Sequence, residues 1–264
     1  MPDAKIFTLF SSSKGNCCYI KYKRDEILID CGASARSIDR MLNCLDTRLE
    51  SISAIFITHE HNDHIRGLET IAKHFKMPIF APENCVQYLR ETAGSDNVNP
   101  LKSFQALEMN DLALCPIATP HDARGSVGFR IRAGEEKIGY FTDIGHLSEG
   151  VLRGLSGCNR VIIESNHDTE MLKNGSYPYS LKRRILGEFG HLSNELCASL
   201  LPHLVNHGSR SFMLAHLSEH NNTPETAFNE SLVSLHSKGI EVNTDGQESV
   251  RLQTAKSCGI CELK

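Results

Sequence analysis

The stretch "FITHEHNDHIRGL", residues 56–68, places three histidines and an aspartate within six positions, directly after an apolar run that is typical of a buried strand. His59 and His61 are two positions apart, so on an extended or turn backbone both imidazoles face the same side. Asp63 and His64 follow in the turn into the next predicted helix. Imidazole and carboxylate groups suit zinc, manganese or iron. The cluster therefore predicts a metal site rather than a solvated polar loop.

The composition is typical of a globular protein, with 264 residues, 40% of them hydrophobic and 23% charged. This length allows one substantial core, and we expect a single domain over residues 1–264. The sequence has no apolar run long enough to cross a membrane, and its N-terminus lacks the layout of a secretory signal. We therefore expect a cytoplasmic protein without a membrane partner. The net charge of −4 argues against binding nucleic acid by overall charge alone, and a local basic patch remains open.

Ten cysteines are scattered along the chain, mostly in apolar segments, which is typical of small buried thiols. We expect them to be reduced, as thiols are in the cytoplasm. Cys258 and Cys261 form a C-x-x-C pair. A zinc ribbon needs a second such pair, which the sequence lacks, so we interpret this pair as incidental.

Strand and helix signals alternate in both halves of the chain. The first half begins with the short β-rich runs "KIFTLF", "CCYIKY" and "EILID", and helices and strands follow in turn. One predicted helix covers "HIRGLETIAKHF", residues 64–75, where apolar residues recur at helical spacing. The second half repeats the alternation and ends in predicted strands near "IEVN" and "VRLQT". Two successive α/β halves predict two sheets packed together, with helices outside.

In a centre with two metal ions, the ions lie about 3.5–4 Å apart and share a carboxylate. The histidine cluster supplies four candidate ligands, which is too few for two ions. Three further candidates each follow a predicted strand: His121 in "ATPHDARG", Asp143 in "GYFTDIG" and His216 in "FMLAHLSEHNN". A single histidine at a strand end is more often structural than a ligand. Three suitable residue types at equivalent positions favour the second half of a metal centre.

The order of these residues resembles the five-motif pattern of the metallo-β-lactamase superfamily. The resemblance implies an α/β fold, a four-layer αββα sandwich with a binuclear metal site at one edge of its two sheets. It also implies a role for each residue: His59, His61 and His121 would bind the first ion, Asp63, His64 and His216 would bind the second, Asp143 would bridge them, and Asp30 would orient the cluster loop. True β-lactamases commonly carry Cys where this chain has Asp143, whereas thioesterases of the glyoxalase II type share H-x-H-x-D-H.

Further segments resemble the YycJ/WalJ-like group within this superfamily. They are "SSSKGNCCYI", "SNHD", "YPYSLKRRI", "GHLSN" and "LAHLSEHNN", and together they extend from residue 7 to about residue 224. The first departs from the G-S-S-G-N of the group, with Ser in place of the first Gly and Lys14 in place of a Ser. The group is regarded as DNA exonuclease-like, so the resemblance implies phosphodiester hydrolysis with DNA as substrate.

In such a centre the nucleophile near neutral pH is a hydroxide that bridges two divalent ions. The protein must also hold the phosphate and protonate the leaving oxygen. His167 and His191, each in a turn beside a predicted helix start, are our catalytic candidates together with Asp63. A surface or capping histidine is the alternative for both.

Candidate substrate contacts lie in the second half of the chain. Ser193 and Asn194 stand at a predicted helix start, where free backbone N–H groups favour an anion, although an N-cap explains Ser193 equally well. Lys182, Arg183 and Arg184 form the densest basic run. If their helix flanks the site, we expect these three residues to grip a nucleic-acid backbone, and a solvated helix face is the default interpretation.

Our leading hypothesis is a metal-dependent phosphodiesterase, a DNA exonuclease that uses two zinc, manganese or iron ions. The enzymatic alternative is a hydrolase of a small ester, thioester or cyclic phosphodiester. The non-enzymatic alternative is a metal-binding module without turnover. The native metal and the oligomeric state are left open by the sequence.

Overall fold

The computed structural model describes residues 3–242 and 249–264. In these ranges the chain forms fourteen strands, which assemble into two seven-stranded sheets. The strands are β1 (Lys5–Ser12), β2 (Gly15–Tyr22), β3 (Asp25–Ile29), β4 (Ala54–Phe56), β5 (Ile79–Pro82), β6 (Val98–Leu101), β7 (Leu107–Glu108), β8 (Leu112–Ala118), β9 (Val127–Ala133), β10 (Glu136–Phe141), β11 (Arg160–Glu164), β12 (Ser211–Ala215), β13 (Arg251–Thr254) and β14 (Cys258–Glu262).

Helices follow most of the parallel strands. Within the same two ranges they are α1 (Ala35–Asn43), α2 (Asn62–Ile65), α3 (Leu68–His74), α4 (Val86–Ala93), α5 (Glu149–Leu155), α6 (Thr169–Asn174), α7 (Tyr179–Ile185), α8 (Asn194–Asn206) and α9 (Pro224–His236). In the described part of the chain, none of them combines the length and the apolar character that crossing a membrane requires.

Both sheets change from antiparallel to parallel pairing. The first has the order β14-β1-β2-β3-β4-β5-β6 and is antiparallel as far as β3 and parallel beyond it. The second has the order β13-β12-β11-β10-β9-β8-β7 and is antiparallel from β7 to β10 and parallel from β10 to β13. Ligands in such sheets bind beyond the carboxyl ends of the parallel strands. The segments that follow β3, β4, β10, β11 and β12 are therefore the ones positioned to build a site.

The last strand joins the sheet that the first half of the chain builds. β14 pairs antiparallel with β1, which the division into two successive halves does not predict. The strand expected at "IEVN" is represented only by an isolated bridge between Val242 and Val250. Asn243 of that stretch lies outside the described residues.

Three apolar clusters define four layers. The central cluster lies between the sheets and includes Phe56 of β4 and Phe129 of β9, whose rings meet edge to face with centroids 5.9 Å apart. A second cluster packs α1, α3 and α4 on the outer face of the first sheet, and a third packs α5, α8 and α9 on the outer face of the second. The predicted αββα sandwich is confirmed.

The helix predicted over residues 64–75 is divided into α2 and α3 at Gly67. The Gly67 N–H donates to the Cys31 carbonyl oxygen at 2.8 Å. A Cβ at this position would lie 2.4 Å from the carbonyl oxygen of Ala33, so no larger residue fits without a backbone shift. Helical spacing alone does not reveal this close approach, which holds the histidine loop against the segment after β3.

The cysteines match the expectation of reduced thiols, since all ten are free of disulfides. Cys258 and Cys261 lie three residues apart on β14. Cys261 packs against the cluster between the two sheets, whereas Cys258 is exposed, so the two thiols lie in different environments. The geometry supports the interpretation of the pair as incidental.

Candidate metal centre

Three of the residues singled out in the sequence stand just beyond the ends of strands. Asp30 follows β3, Asp143 follows β10 and His216 follows β12. All three have left-handed backbone, with φ of 61°, 58° and 55°. This conformation costs a residue with a Cβ about 1–2 kcal/mol. It turns the chain sharply where the two sheets meet, and the three side chains reach one cluster there.

The first candidate metal group consists of His59, His61 and His121. One nitrogen of each lies within 4.8 Å of the others. Nε2 of His121 and Nδ1 of His61 are 3.3 Å apart, while Nδ1 of His121 contacts the Gly190 carbonyl oxygen at 3.1 Å. Because that carbonyl accepts the Nδ1–H, the His121 Nε2 is left to face an ion.

The second candidate group consists of Asp63, His64 and His216. Oδ2 of Asp63 lies 3.4 Å from Nε2 of His64 and 3.6 Å from Nε2 of His216. Asp143 lies between the two groups, with Oδ2 at 3.3 Å from His64 Nε2 and Oδ1 at 3.7 Å from His121 Nε2. One carboxylate is therefore placed to serve both groups.

The side chains of this cluster fit divalent metal. Nε2 of His59, Nε2 of His216 and Oδ2 of Asp143 are buried and have no hydrogen-bond partner among the described residues. Buried polar atoms without partners are costly and are rare in folded proteins. Imidazole nitrogens and a carboxylate oxygen are the donors that zinc, manganese and iron accept. Divalent cations would satisfy these atoms.

Asp30 orients the histidine loop through hydrogen bonds to Thr58 and His64. Its fully buried carboxylate accepts the Thr58 backbone N–H at 2.8 Å and lies 2.8 Å from Nδ1 of His64. Burial raises the pKa of Asp30, and the neighbouring His64 opposes this. A carboxylate that accepts the Nδ1–H of His64 leaves its Nε2 as the acceptor nitrogen, which the Asn16 amide contacts at 3.1 Å.

Glu164, at the end of β11, was missed by the sequence reasoning. Oε1 lies 2.8 Å from Nδ1 of both His191 and His216, and Oε2 accepts the backbone N–H groups of Ile144 and Leu192. Burial opposes ionisation of Glu164, but the two imidazoles hold its pKa below the ordinary value. The only signal for it in the sequence is a lone carboxylate at the end of an apolar strand.

The four contacts decide what Glu164 does. One oxygen of Glu164 lies within 4.8 Å of donor atoms of Asp143, His191 and His216, a spacing that by itself also suits a metal ion. Each carboxylate oxygen of Glu164 already accepts two hydrogen bonds, however, which uses its lone pairs. Glu164 is therefore better described as the acceptor that orients His191 and His216.

A cavity of about 390 Å³ opens above the cluster. His61, Asp63, Asp143, His191 and His216 form its floor. The turn between β1 and β2 approaches it as well, with Ser13 in the wall and the Asn16 amide 3.2 Å from Oδ2 of Asp63. The floor of the cavity thus carries four of the seven predicted ligands and one of the predicted catalytic histidines.

Three of the predicted functional residues lie away from this cavity. His167 is buried with neither ring nitrogen hydrogen-bonded, and burial lowers its pKa to about 4. Ser193 caps α8, accepting the Leu196 N–H at 3.3 Å. Asn194 is buried and hydrogen-bonded to Ser165. The N-cap alternative accounts for Ser193, and the geometry does not bring these three residues to the metal cluster.

The basic run lies on α7, one wall of the cavity. The Lys182 ammonium donates to the Lys173 carbonyl oxygen at 2.7 Å, and Arg183 is exposed outside the cavity. Arg184, rather than either of them, lines the cavity, and its guanidinium pairs with Asp122. The helix flanks the site as expected, but only Arg184 of the three basic residues faces the cavity.

Residues 25–216 match the β-lactamase superfamily domain. The chain belongs to this superfamily. It is a hydrolase of the metallo-β-lactamase fold, with histidine and aspartate groups suited to divalent metal. Its relatives include exodeoxyribonuclease YycJ of Bacillus anthracis, which is 32% identical over 242 residues, covering 89% of this chain and 90% of that protein. Exodeoxyribonuclease WalJ of Streptococcus pneumoniae is 30% identical over 246 residues and 91% of each chain. The resemblance to the YycJ/WalJ-like group is thereby confirmed.

Solved structures agree on the fold. The metallo-β-lactamase fold protein YhfI of Bacillus subtilis aligns with a TM-score of 0.71, over 98% of this chain and 99% of that chain. Its sequence is 12% identical, so this likeness concerns the architecture alone.

Replacing Glu164 with Gln tests the orienting carboxylate. In the glutamine side chain one carboxylate oxygen is replaced by an NH₂ group, which is a donor. That group would face two N–H groups whose hydrogen bonds the Glu164 oxygen accepts in the unaltered protein. We expect metal affinity, measured by competition with a chelator, to fall about 10- to 100-fold. Glu149→Gln, which changes an exposed carboxylate on α5, is the matched control and should keep the affinity of the unaltered protein. Equal affinities in the two variants would contradict the role of Glu164.

Proposed function

We propose that this protein is a two-metal phosphodiesterase that degrades DNA as an exonuclease. The observation that carries the proposal is the arrangement of the metal cluster, where Asp143 lies within 3.7 Å of a histidine of each donor group and His191 lies beside it on Glu164. Exodeoxyribonucleases cover about nine-tenths of the chain at 30–32% identity, which supports DNA as the substrate.

We assign His59, His61 and His121 to one ion, and Asp63, His64 and His216 to the other, with Asp143 shared. Zinc, manganese and iron all suit this donor set. When bound, two such ions supply a nucleophile at neutral pH and neutralise charge on the scissile phosphate. Asp30 and Glu164 keep the ligating imidazoles in the required tautomer.

His191 is the proposed proton donor. Its Nδ1 contacts Glu164 at 2.8 Å, and its ring lines the cavity, so Nε2 is the nitrogen available to substrate. A carboxylate that accepts from Nδ1 fixes the orientation of the ring, which places Nε2 to hand a proton to the leaving oxygen. His167 is dropped from this role because it lies outside the cavity wall.

A substrate panel tests the proposed activity. Labelled DNA, bis-p-nitrophenyl phosphate and a glutathione thioester are offered to the unaltered protein and to the variants His59→Ala and Asp143→Ala. We expect cleavage of both phosphodiesters, and a loss of more than about 100-fold in each variant, because changes in residues that only orient ligands already cost 10- to 100-fold.

His74→Ala is the control, since this exposed histidine lies on α3 away from the cavity. Full activity in the His59 and Asp143 variants contradicts the metal centre. Cleavage of the thioester alone contradicts the phosphodiesterase and favours the small-ester alternative. No turnover of any substrate, with metal bound, favours the non-catalytic module.

The leaving group tests His191 separately. DNA releases an alkoxide, which needs a proton, whereas p-nitrophenolate leaves without one. For His191→Gln we expect kcat on DNA to fall about 100- to 10,000-fold. Turnover of bis-p-nitrophenyl phosphate should fall far less. Equal losses on the two substrates would mean that His191 has another role.

A further inference from the structure

We propose that the α7 wall, defined as Tyr177, Leu181, Arg184 and Ile185, is a subsite for the terminal nucleotide of the DNA strand. Arg184 would hold a phosphate and Tyr177 would stack on the base. The inference rests on the proposed function and adds to it how the strand end is recognised. It concerns residues that neither the metal motifs nor the proposed proton donor includes.

The α7 wall is chemically unlike the cavity floor. The floor is made of imidazoles and carboxylates, whereas the wall presents an aromatic ring, two aliphatic side chains and one guanidinium. Leu181, Arg184 and Ile185 are spaced three and four residues apart, which places them on one face of a helix. A nucleotide has the matching parts, because its base is flat and apolar on both faces and its phosphate is anionic.

Asp122 holds the Arg184 guanidinium in place and leaves some of its N–H groups available to a ligand. Its Nε and Nη2 both bond to the Asp122 carboxylate, Nη2 at 3.0 Å. A guanidinium has five N–H groups, so three remain for another acceptor. In the described ranges Nη1 has no hydrogen-bond partner, and it is the nitrogen that forks onto phosphate oxygens with Nη2.

Asp122 also sets where this guanidinium lies. It directly follows His121, one of the proposed ligands, and its Oδ1 is 3.5 Å from the His121 Nε2. A phosphate gripped by Arg184 is therefore held at a fixed position relative to the metal centre. The side chains of Arg184 and Asp122 are 49% and 33% exposed, so the ion pair contributes little by itself and leaves the guanidinium accessible.

Tyr177 provides the aromatic surface. It is half-buried in the cavity wall, and the His220 ring packs against it at 5.7 Å with an interplanar angle of 68°. That contact fixes the orientation of the tyrosine ring. Stacking on aromatic side chains is the common way in which proteins hold unpaired bases, and it tolerates any base.

The size of the cavity favours one nucleotide over a duplex. Its volume of about 390 Å³ lies at the lower end of the range for small-molecule pockets. A single frayed nucleotide is of a size that this space can enclose, whereas a duplex is not. The α7 wall therefore fits the end of a strand, in agreement with an exonuclease.

A comparison of two oligonucleotides tests the stacking partner. They are identical except that the nucleotide at the cleaved end carries a base in one and is abasic in the other. For the unaltered protein we expect KM for the abasic end to be higher by about 5- to 150-fold, the range of base–aromatic stacking. Tyr177→Ala should abolish this discrimination, and Tyr177→Phe should restore it. Discrimination retained in Tyr177→Ala, or lost in Tyr177→Phe, would overturn the assignment of Tyr177.

The salt dependence of DNA binding tests Arg184. Arg184→Ala should reduce the slope of log K against log salt by about one, as the loss of one phosphate contact does. Arg132→Ala is the matched control, because Arg132 also pairs with a carboxylate but lies at an exposed position on β9, and its slope should stay unchanged. Identical slopes in the two variants would overturn the phosphate contact.

Failure of the proposed function is distinguishable from failure of this subsite. If the unaltered protein cleaves neither oligonucleotide, the proposed function is overturned. Fluorescence anisotropy of the same two oligonucleotides then decides the subsite. A preference for the end that carries a base, lost in Tyr177→Ala, supports it, and equal affinities overturn it.

Discussion

The Glu164 carboxylate is the interaction on which the rest of the site depends. It is fully buried, and it joins the end of β11 to three segments that are remote in sequence, through Ile144 after β10, through His191 and Leu192 before α8, and through His216 after β12. Burying a carboxylate is costly unless it is paired and hydrogen-bonded, and here four donors satisfy it. The same contacts fix the ring orientations of His216, a proposed ligand, and of His191, the proposed proton donor. Glu164 therefore serves both the folding of these segments and the proposed chemistry.

Backbone strain is concentrated at the same place. Left-handed conformations at Asp30, Asp143 and His216 persist because neighbouring groups satisfy the backbone around each turn. Asp30 N–H donates to the Phe56 carbonyl, and His216 N–H donates to Ser11 Oγ, both at 2.8 Å. Three strained turns at three strand ends bring side chains from both sheets to one point, which an unstrained continuation of the strands would not do.

Much of the candidate centre was predictable, because its proposed ligands belong to residue types with few other reasons to recur at strand ends. His59, Asp143 and His216 belong to that class, and their order along the chain also indicated the αββα fold. Contacts between distant segments were not predictable. Glu164 looked like the end of a strand, and Arg184 was indistinguishable from its basic neighbours until the phase of α7 was known. Asn194 was predicted to contact substrate because it stands at a helix start, which suits an anion. In the structure its side chain is hydrogen-bonded internally to Ser165 instead.

The most direct test of the account is metal stoichiometry coupled to turnover. Metal-free protein is titrated with manganese or zinc while bound ions, by elemental analysis, and DNA cleavage are followed on the same samples. Two donor groups that share Asp143 predict two ions per chain, with full cleavage reached only at the second equivalent. Cleavage that is complete without metal, or that saturates at one ion per chain, would contradict the account.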